Sequence, residues 1–87
     1  MKYEIKQISA RKNEKGVWTW KNAMTIGEFQ TNAKNHKKAF LYHLHKMGII
    51  LKSGKFTINA SKNVLEVRDR KTNEPIFAAV PIYRNRT

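Results

Sequence analysis

The chain has 87 residues, a formal net charge of +12 and no cysteine. This length fits one domain with a small core, and the lack of cysteine excludes disulfide frameworks and thiolate metal sites. No apolar run is long enough to span a bilayer, and Met1–Gln7 does not resemble the start of a secretory signal. We therefore expect a single cytoplasmic domain over residues 1–87 with no membrane partner.

The first strands are predicted at the N-terminus. Tyr3–Arg11 and Val17–Trp20 are rich in residues that favour strands, and Lys12–Gly16 between them has the composition of a turn. Trp18 and Trp20 lie on one face of the second strand because side chains alternate along a strand. Two such rings are more often core than a platform for stacked bases, so we predict that both are mainly buried.

The middle of the chain predicts helix. Thr25 and Glu28 have the spacing of a capping box, which favours a short helix over residues 26–33. Asn35 is placed to cap a main helix over His36–Met47. The apolar positions of this main helix recur at helical spacing and predict a buried stripe of Phe40, Leu44 and Met47.

Strand patterns follow the main helix. Gly48 suits a left-handed cap at the helix C-terminus, and Pro81 places the last strand at a sheet edge or close to its own end. The fold class is therefore α+β, with an N-terminal hairpin, one main helix and three C-terminal strands. The predicted strands and the basic tail that follows them are Ile49–Asn59, Val64–Arg68, Ile76–Ile82 and Tyr83–Thr87.

Positive charge is concentrated in one segment. No acidic residue lies between Glu28 and Glu66, a stretch of 37 residues that carries seven lysines. The rest of the chain holds the other 11 of the 18 basic residues and all 6 acidic residues. A folded segment with this much uncompensated charge indicates a polyanionic partner. The seven lysines are Lys34, Lys37, Lys38, Lys46, Lys52, Lys55 and Lys62.

Residues 25–70 resemble a winged helix-turn-helix DNA-binding domain. A small residue before the turn, a helix cap, a spaced apolar stripe and a Gly-Ile ending occur in the order typical of that family, at Ala33, Asn35, Phe40, Leu44, Met47, Gly48 and Ile49. The resemblance implies a recognition helix that enters a groove of DNA and a lysine-bearing hairpin, the wing, beside it. If residues 26–33 form no helix, the chain is instead a ββαβββ protein whose helix packs on an antiparallel sheet.

The start of the main helix and the wing supply the predicted contacts. An asparagine can read a base edge, while lysine and histidine can contact phosphate or guanine. Lysines are common on surface helices, but here no glutamate is interleaved to form the usual i, i+4 pairs. The predicted nucleic-acid-binding residues are Asn35, His36, Lys37, Lys38, Tyr42, His45, Lys52, Lys55 and Lys62.

Catalytic chemistry is not favoured. The segment from His43 to His45 resembles the histidine pair of rolling-circle endonucleases, but in a helix these two side chains diverge. The six acidic residues are scattered, so no pair is fixed for metal binding or acid–base work. We expect a protein that is not an enzyme and that has no cofactor and no metal site.

The preferred hypothesis is a small basic protein that binds nucleic acid, with duplex DNA as the first choice. Lys outnumbers Arg by 13 to 5, which is compatible with the AT-rich genome of a phage or mobile element, where the protein would act as a regulator or as a replication or transfer accessory. A second hypothesis is an interaction protein that inhibits or adapts a host machine, such as a guided nuclease, through a host protein or ribonucleoprotein target. A third is a protein that binds RNA or single strands. A homodimer also stays open.

Overall fold

The structure, a computed structural model, describes residues 1–32 and 34–82, with position 21 described by its backbone alone. A five-stranded antiparallel sheet has the strand order β2-β1-β5-β4-β3. One helix packs on it, and no helix in the described part of the chain is long and apolar enough to cross a membrane. The elements are β1 (Lys2–Lys12), β2 (Trp18–Gln30), α1 (His36–Lys46), β3 (Phe56–Ser61), β4 (Val64–Asp69) and β5 (Pro75–Pro81).

The α+β class is confirmed, and the element order is that of the ββαβββ alternative. The short helix predicted over residues 26–33 is wrong, because residues 18–30 form the strand β2. Two register shifts in the β1–β2 pairing leave Ile26 and residue 21 without cross-strand partners. Each such bulge breaks the alternation of a strand. The bulge at Ile26 allows Ile26 and Phe29, which are three residues apart, both to pack against the core, and the same spacing in the sequence is typical of a helix. Ala33, the small residue of the resemblance, lies outside the described residues.

The sheet has two sides. The helix α1 packs on one of them, which we call the helix face. Tyr3 and Ile5 on β1 belong to this face and are buried against Phe40 and Leu44 of α1. Because side chains alternate, the even-numbered residues of β1 lie on the opposite side, the far face. The rest of the buried cluster comes from three strands, at Phe29, Leu65, Val67, Phe77 and Ala79.

The main helix is confirmed, although its buried stripe is shorter than predicted. Phe40 and Leu44 are 0% exposed, whereas Met47 is 40% exposed, so its place in the buried stripe is wrong. Met47 is the C-cap residue, and its side chain lies against β2, where a Cβ on Gly27 would come within 3.1 Å of the Met47 Cε. Gly27 therefore allows the helix end to approach the strand closely.

The helix ends as the sequence predicts. Gly48 has a φ of +88°, the left-handed conformation that glycine adopts without a side-chain clash. The N–H of Ile49 donates to the carbonyl of Leu44 at 3.0 Å, and the N–H of Gly48 donates to that of His45 at 3.0 Å. These two bonds form a Schellman motif, and Ile49 packs against the core beyond it.

The C-terminal strands are present with shifted bounds. The strand predicted over Ile49–Asn59 begins only at Phe56, because the preceding loop turns back on itself, with the N–H of Lys55 donating to the carbonyl of Lys52 at 3.1 Å. Lys62 and Asn63 have φ values of 51° and 66°, as in the two-residue turns that connect hairpin strands. Pro81 closes β5, which is the central strand and not an edge. The predicted basic tail Tyr83–Thr87 lies outside the described residues.

The tip of the β1–β2 hairpin bends across the far face. The indole N–H of Trp18 donates to the carbonyl of Thr72 at 3.1 Å, and that of Trp20 donates to Glu66 Oε2 at 3.0 Å. Glu66 lies on β4 and Thr72 lies in the turn after it, whereas β4 is three strands away from β2 in the sheet. The two bulges in β2 produce the bend that brings the tip across. Both rings are half-buried and outside the core cluster, so the prediction that they are mainly core is wrong.

Candidate nucleic-acid interface

The far face holds the ion pairs of the described residues. On β1 and β2, Lys2 Nζ lies 3.5 Å from Glu28 Oε1, and Lys6 Nζ lies 3.2 Å from Glu4 Oε2. On β4, Arg68 pairs with Glu66, which also accepts the Trp20 N–H. Each pair joins neighbouring side chains of the same face, so this surface is close to neutral.

Residues 29–65, which include no acidic residue, have no such ion pairs among their described lysines. All seven of these lysines are exposed. The first turn of α1 contains no acidic residue. The positive charge on this side is therefore balanced by solvent ions alone, and a polyanion would release those ions on binding. Four of the lysines surround α1 and three follow it in the loop and hairpin, at Lys34, Lys37, Lys38, Lys46, Lys52, Lys55 and Lys62.

An open cleft of about 600 Å³ separates the start of α1 from the turn between β3 and β4. We call it the helix-start cleft. It brings together four residues predicted to bind nucleic acid, because the turn that carries Lys62 lies beside the first turn of the helix. Lys34 joins the basic residues here although it is not among the nine predicted. The cleft is lined by Tyr3, Lys34, Asn35, His36, Lys37, Ala60, Ser61, Lys62, Asn63 and Leu65.

Asn35 has a structural role in this cleft. Its Oδ1 accepts the N–H of Lys38 at 3.1 Å, which caps the helix. Bidentate readout of adenine needs both the oxygen and the nitrogen of an asparagine amide. The cap fixes the orientation of the Asn35 amide and engages its oxygen, which leaves the Nδ2 donor for a hydrogen bond with phosphate or base.

His36 is anchored to the core by a residue absent from the predicted site. The Tyr3 hydroxyl and His36 Nδ1 are 2.7 Å apart, and the two rings meet edge to face with centroids 5.7 Å apart. Tyr3 is itself 1% exposed and stacks on Phe29 at 5.0 Å. The floor of the cleft is thus held rigidly by the sheet. In the sequence Tyr3 is one of several strand-forming residues near the N-terminus. Its role becomes visible only when β1 packs against the start of α1.

Other predicted residues form a separate group, the outer helix patch, on the exposed side of α1. Tyr42 is 61% exposed, and Lys46 Nζ lies 5.4 Å from the centre of its ring. A shallow depression of about 570 Å³ is lined there by Lys38, Leu41, Tyr42, His45 and Lys46. An exposed ring flanked by cations can stack on an unpaired base, which is a different contact from the one that the helix-start cleft offers.

The histidine pair of α1 is split between two environments. His43 is half-buried and stacks on Phe29 with ring centroids 5.0 Å apart, whereas His45 is exposed. Among the described residues no three His, Asp or Glu side chains are grouped so that they could hold a metal ion.

A second basic cleft lies at the opposite end of the β3–β4 hairpin. It is open, has a volume of about 460 Å³ and is lined by Gly54, Lys55, Asp69, Arg70, Lys71 and Thr72. The N–H of Arg70 donates to the carbonyl of Lys55 at 3.1 Å, which joins the two basic residues. Arg70 and Lys71 are absent from the predicted site because their segment reads as a turn, although three basic residues within four positions were a visible signal. Lys52 lies in the preceding loop, outside all three groups.

Asp69 is the acidic residue of this second cleft, and its charge is already engaged. Its Oδ1 accepts the N–H of Thr72 at 3.0 Å and that of Lys71 at 2.8 Å. These bonds, with the one to Thr72 the stronger influence, hold the pKa of Asp69 below its usual value. The carboxylate therefore shapes the turn that presents Arg70 and Lys71.

Comparisons with protein-family models, with curated proteins and with solved structures found no match to this chain.

Proposed function

We propose that this protein binds nucleic acid without catalysing a reaction on it, and that duplex DNA is its partner. The observation that carries the proposal is the separation of charge: the ion pairs lie on the far face, while seven exposed lysines around α1 and the β3–β4 hairpin have no carboxylate partner among the described residues. Such a surface costs free energy through self-repulsion, and a polyanion relieves that cost.

The proposed mode of binding keeps the two contacts of the winged-helix resemblance. The first turn of α1 approaches a groove, with His36 and Lys37 nearest to it. The β3–β4 turn, which carries Lys62 beside that helix start, contacts the flanking backbone in the manner of a wing. The biological role proposed for this activity is that of a regulator or of an accessory in replication or transfer of a phage or mobile element.

Binding of single strands or RNA is the second candidate, favoured by the outer helix patch. Tyr42 is exposed beside Lys46, and sequence-tolerant binding of single strands combines exposed rings with basic side chains. In this case Tyr42→Ala would weaken the complex strongly, whereas a duplex held at the helix-start cleft would tolerate the change.

The experiment is a binding panel of duplex DNA, single-stranded DNA and structured RNA, each measured by fluorescence anisotropy over a series of salt concentrations. If about five phosphates are contacted, the logarithm of the duplex association constant should fall with the logarithm of salt concentration with a slope of roughly −4 to −5. Tightest binding to duplex DNA supports the first candidate, and tightest binding to the other polymers supports the second. No binding to any polymer at low salt rejects both.

A further inference from the structure

The β3–β4 hairpin carries basic residues at both of its ends. One end carries Lys62 in the helix-start cleft, and the other carries Lys55 and Arg70 in the second basic cleft. The strand between these ends, β3, contains no acidic and no basic residue. No carboxylate therefore lies on β3 itself, and Glu66 of β4, which lies opposite Asn59, is paired with Arg68.

β3 is also an edge strand, so its outer backbone groups have no neighbouring strand among the described residues. Edge strands usually carry charged residues or proline, which discourage pairing with another chain. Here the strand itself is exposed at polar positions that can donate or accept hydrogen bonds, and the protecting charges stand only at its ends. The exposed polar side chains are Thr57, Asn59 and Ser61, of which Thr57 and Asn59 lie opposite Arg68 and Glu66 at the far-face side of the edge.

We propose that the outer edge of β3 and the basic groups at its two ends form one continuous track for a single strand of the DNA backbone. This inference rests on the proposed function and extends it, because it assigns Arg70 and Lys71 to the interface and gives the path of the bound strand across the protein. The strand would leave the helix-start cleft at Lys62 and follow β3 to Lys55.

The dimensions of the track suit several phosphates. Lys55 and Lys62 are seven positions apart, and an extended chain advances about 3.3 Å per residue, so the track is roughly 23 Å long. Phosphates of one duplex strand are spaced about 3.4 Å apart along the helix axis. A duplex that touches both ends therefore presents phosphates along β3, where the outward-facing backbone N–H groups of the edge strand are the available donors.

Removal of charge at the end remote from α1 tests the track. Lys55→Gln with Arg70→Gln removes two charges there, and the control Lys2→Gln with Lys6→Gln removes two charges from the far face. The first pair should weaken duplex binding more than ten-fold and should make the salt slope shallower by about 1 to 2, since each phosphate contact contributes about 0.9. The control pair should change neither quantity by a comparable amount.

A crosslinking experiment tests the middle of the track without changing charge. The chain has no cysteine, so Asn59→Cys on β3 and Asn22→Cys on β2 can each carry a single benzophenone label. Both positions are exposed, and they lie on the two opposite edges of the sheet. On irradiation with duplex DNA, the label at position 59 should crosslink to DNA and the label at position 22 should not.

The outcomes separate this inference from the proposed function. If the unmodified protein binds duplex DNA but the Lys55 and Arg70 variant binds equally well, the track is wrong and the proposed function stands. Equal crosslinking from both edges, or crosslinking from position 59 to a second copy of the chain, also overturns the track. If the unmodified protein binds no duplex DNA, both proposals fail together.

Discussion

The far face of the sheet pairs its charges, whereas the helix side of the molecule leaves its lysines without carboxylate partners. On the far face Lys2 and Lys6 each lie within 4 Å of a glutamate, and Arg68 pairs with Glu66. Around α1 and the β3–β4 hairpin no described lysine has such a partner. Exposed ion pairs contribute little to stability, so the pairing of Lys2 with Glu28 does more to neutralise the far face than to hold the fold together.

The two sides also differ in how they are covered. α1 buries Phe40 and Leu44 completely on the helix face. Within residues 1–32 and 34–82, the far face is covered by the bent tip of the β1–β2 hairpin, whose Trp18 and Trp20 are half-buried and held by indole hydrogen bonds. The helix α1 therefore contributes to the hydrophobic core on its buried side and carries lysines without carboxylate partners on its exposed side.

The largest expected effect is on the core beneath α1. Leu44→Ala removes a fully buried side chain and should lower the free energy of unfolding by roughly 2–5 kcal/mol, because the cavity cannot close completely. Urea denaturation measures the loss. Leu41→Ala is the matched control on the same helix, since Leu41 is only half-buried and should cost distinctly less. Equal losses would show that the helix is not anchored at Leu44.

The second expected effect concerns binding. Lys37→Gln with Lys38→Gln should weaken duplex binding more than ten-fold, because two phosphate contacts at the helix start are lost. Both side chains are exposed, and surface changes usually alter stability by only about 0.5 kcal/mol each. The control is the far-face pair Lys2→Gln with Lys6→Gln, which removes the same charge. Similar weakening in both variants would mean that net charge, and not this surface, governs binding.

A smaller effect is expected on the far face. Trp20→Phe removes the N–H that donates to Glu66 and should cost about 1.5–3 kcal/mol of stability, as expected for a hydrogen bond to a charged group. Trp18→Phe should cost less, because its acceptor is the exposed carbonyl of Thr72. Neither change should alter DNA binding. A loss of single-strand binding in either variant would instead identify these rings as a stacking platform.

The smallest effect is the dependence of stability on pH at Asp69. Its pKa is lowered in the folded state by the N–H groups of Thr72 and Lys71. The stabilisation is therefore present above the unfolded pKa of about 3.9 and is lost as the pH falls through the lower folded value. Urea midpoints measured between about pH 2 and 5 should fall more steeply for the natural chain than for Asp69→Asn. Parallel curves would contradict this role.

Local rules predicted the parts of the fold that depend on a few neighbouring residues. The predictions of a helix cap at Asn35 and of a left-handed Gly48 are confirmed, because each feature depends on hydrogen bonds within about one helical turn. The helix over residues 26–33 was wrong because the bulge at Ile26 imitates helical spacing, and a bulge is set by pairing with β1. The bend that carries Trp18 and Trp20 across the far face depends on the same long-range pairing.

The candidate site could be predicted in part for the same reason. The excess of lysine is visible in the sequence, but its division into separate groups is not. Lys37 and Lys62 meet at one cleft only because the β3–β4 turn packs beside the helix start, and Lys55 joins Arg70 only because the hairpin strands are in register. Tyr42 falls outside both clefts because it lies on the outer side of α1.

The most direct test of the central claim is a map of backbone amide chemical shifts during titration of the isotope-labelled protein with duplex DNA. The largest changes should fall at the helix start and the ends of the β3–β4 hairpin, while the amides of Glu4, Lys6 and Glu28 on the far face stay nearly unchanged. Largest changes around Trp18 and Trp20 would contradict the claim that the unpaired lysines form the interface. The residues expected to shift most are Lys34, His36, Lys37, Lys38, Lys55, Lys62, Asn63 and Arg70.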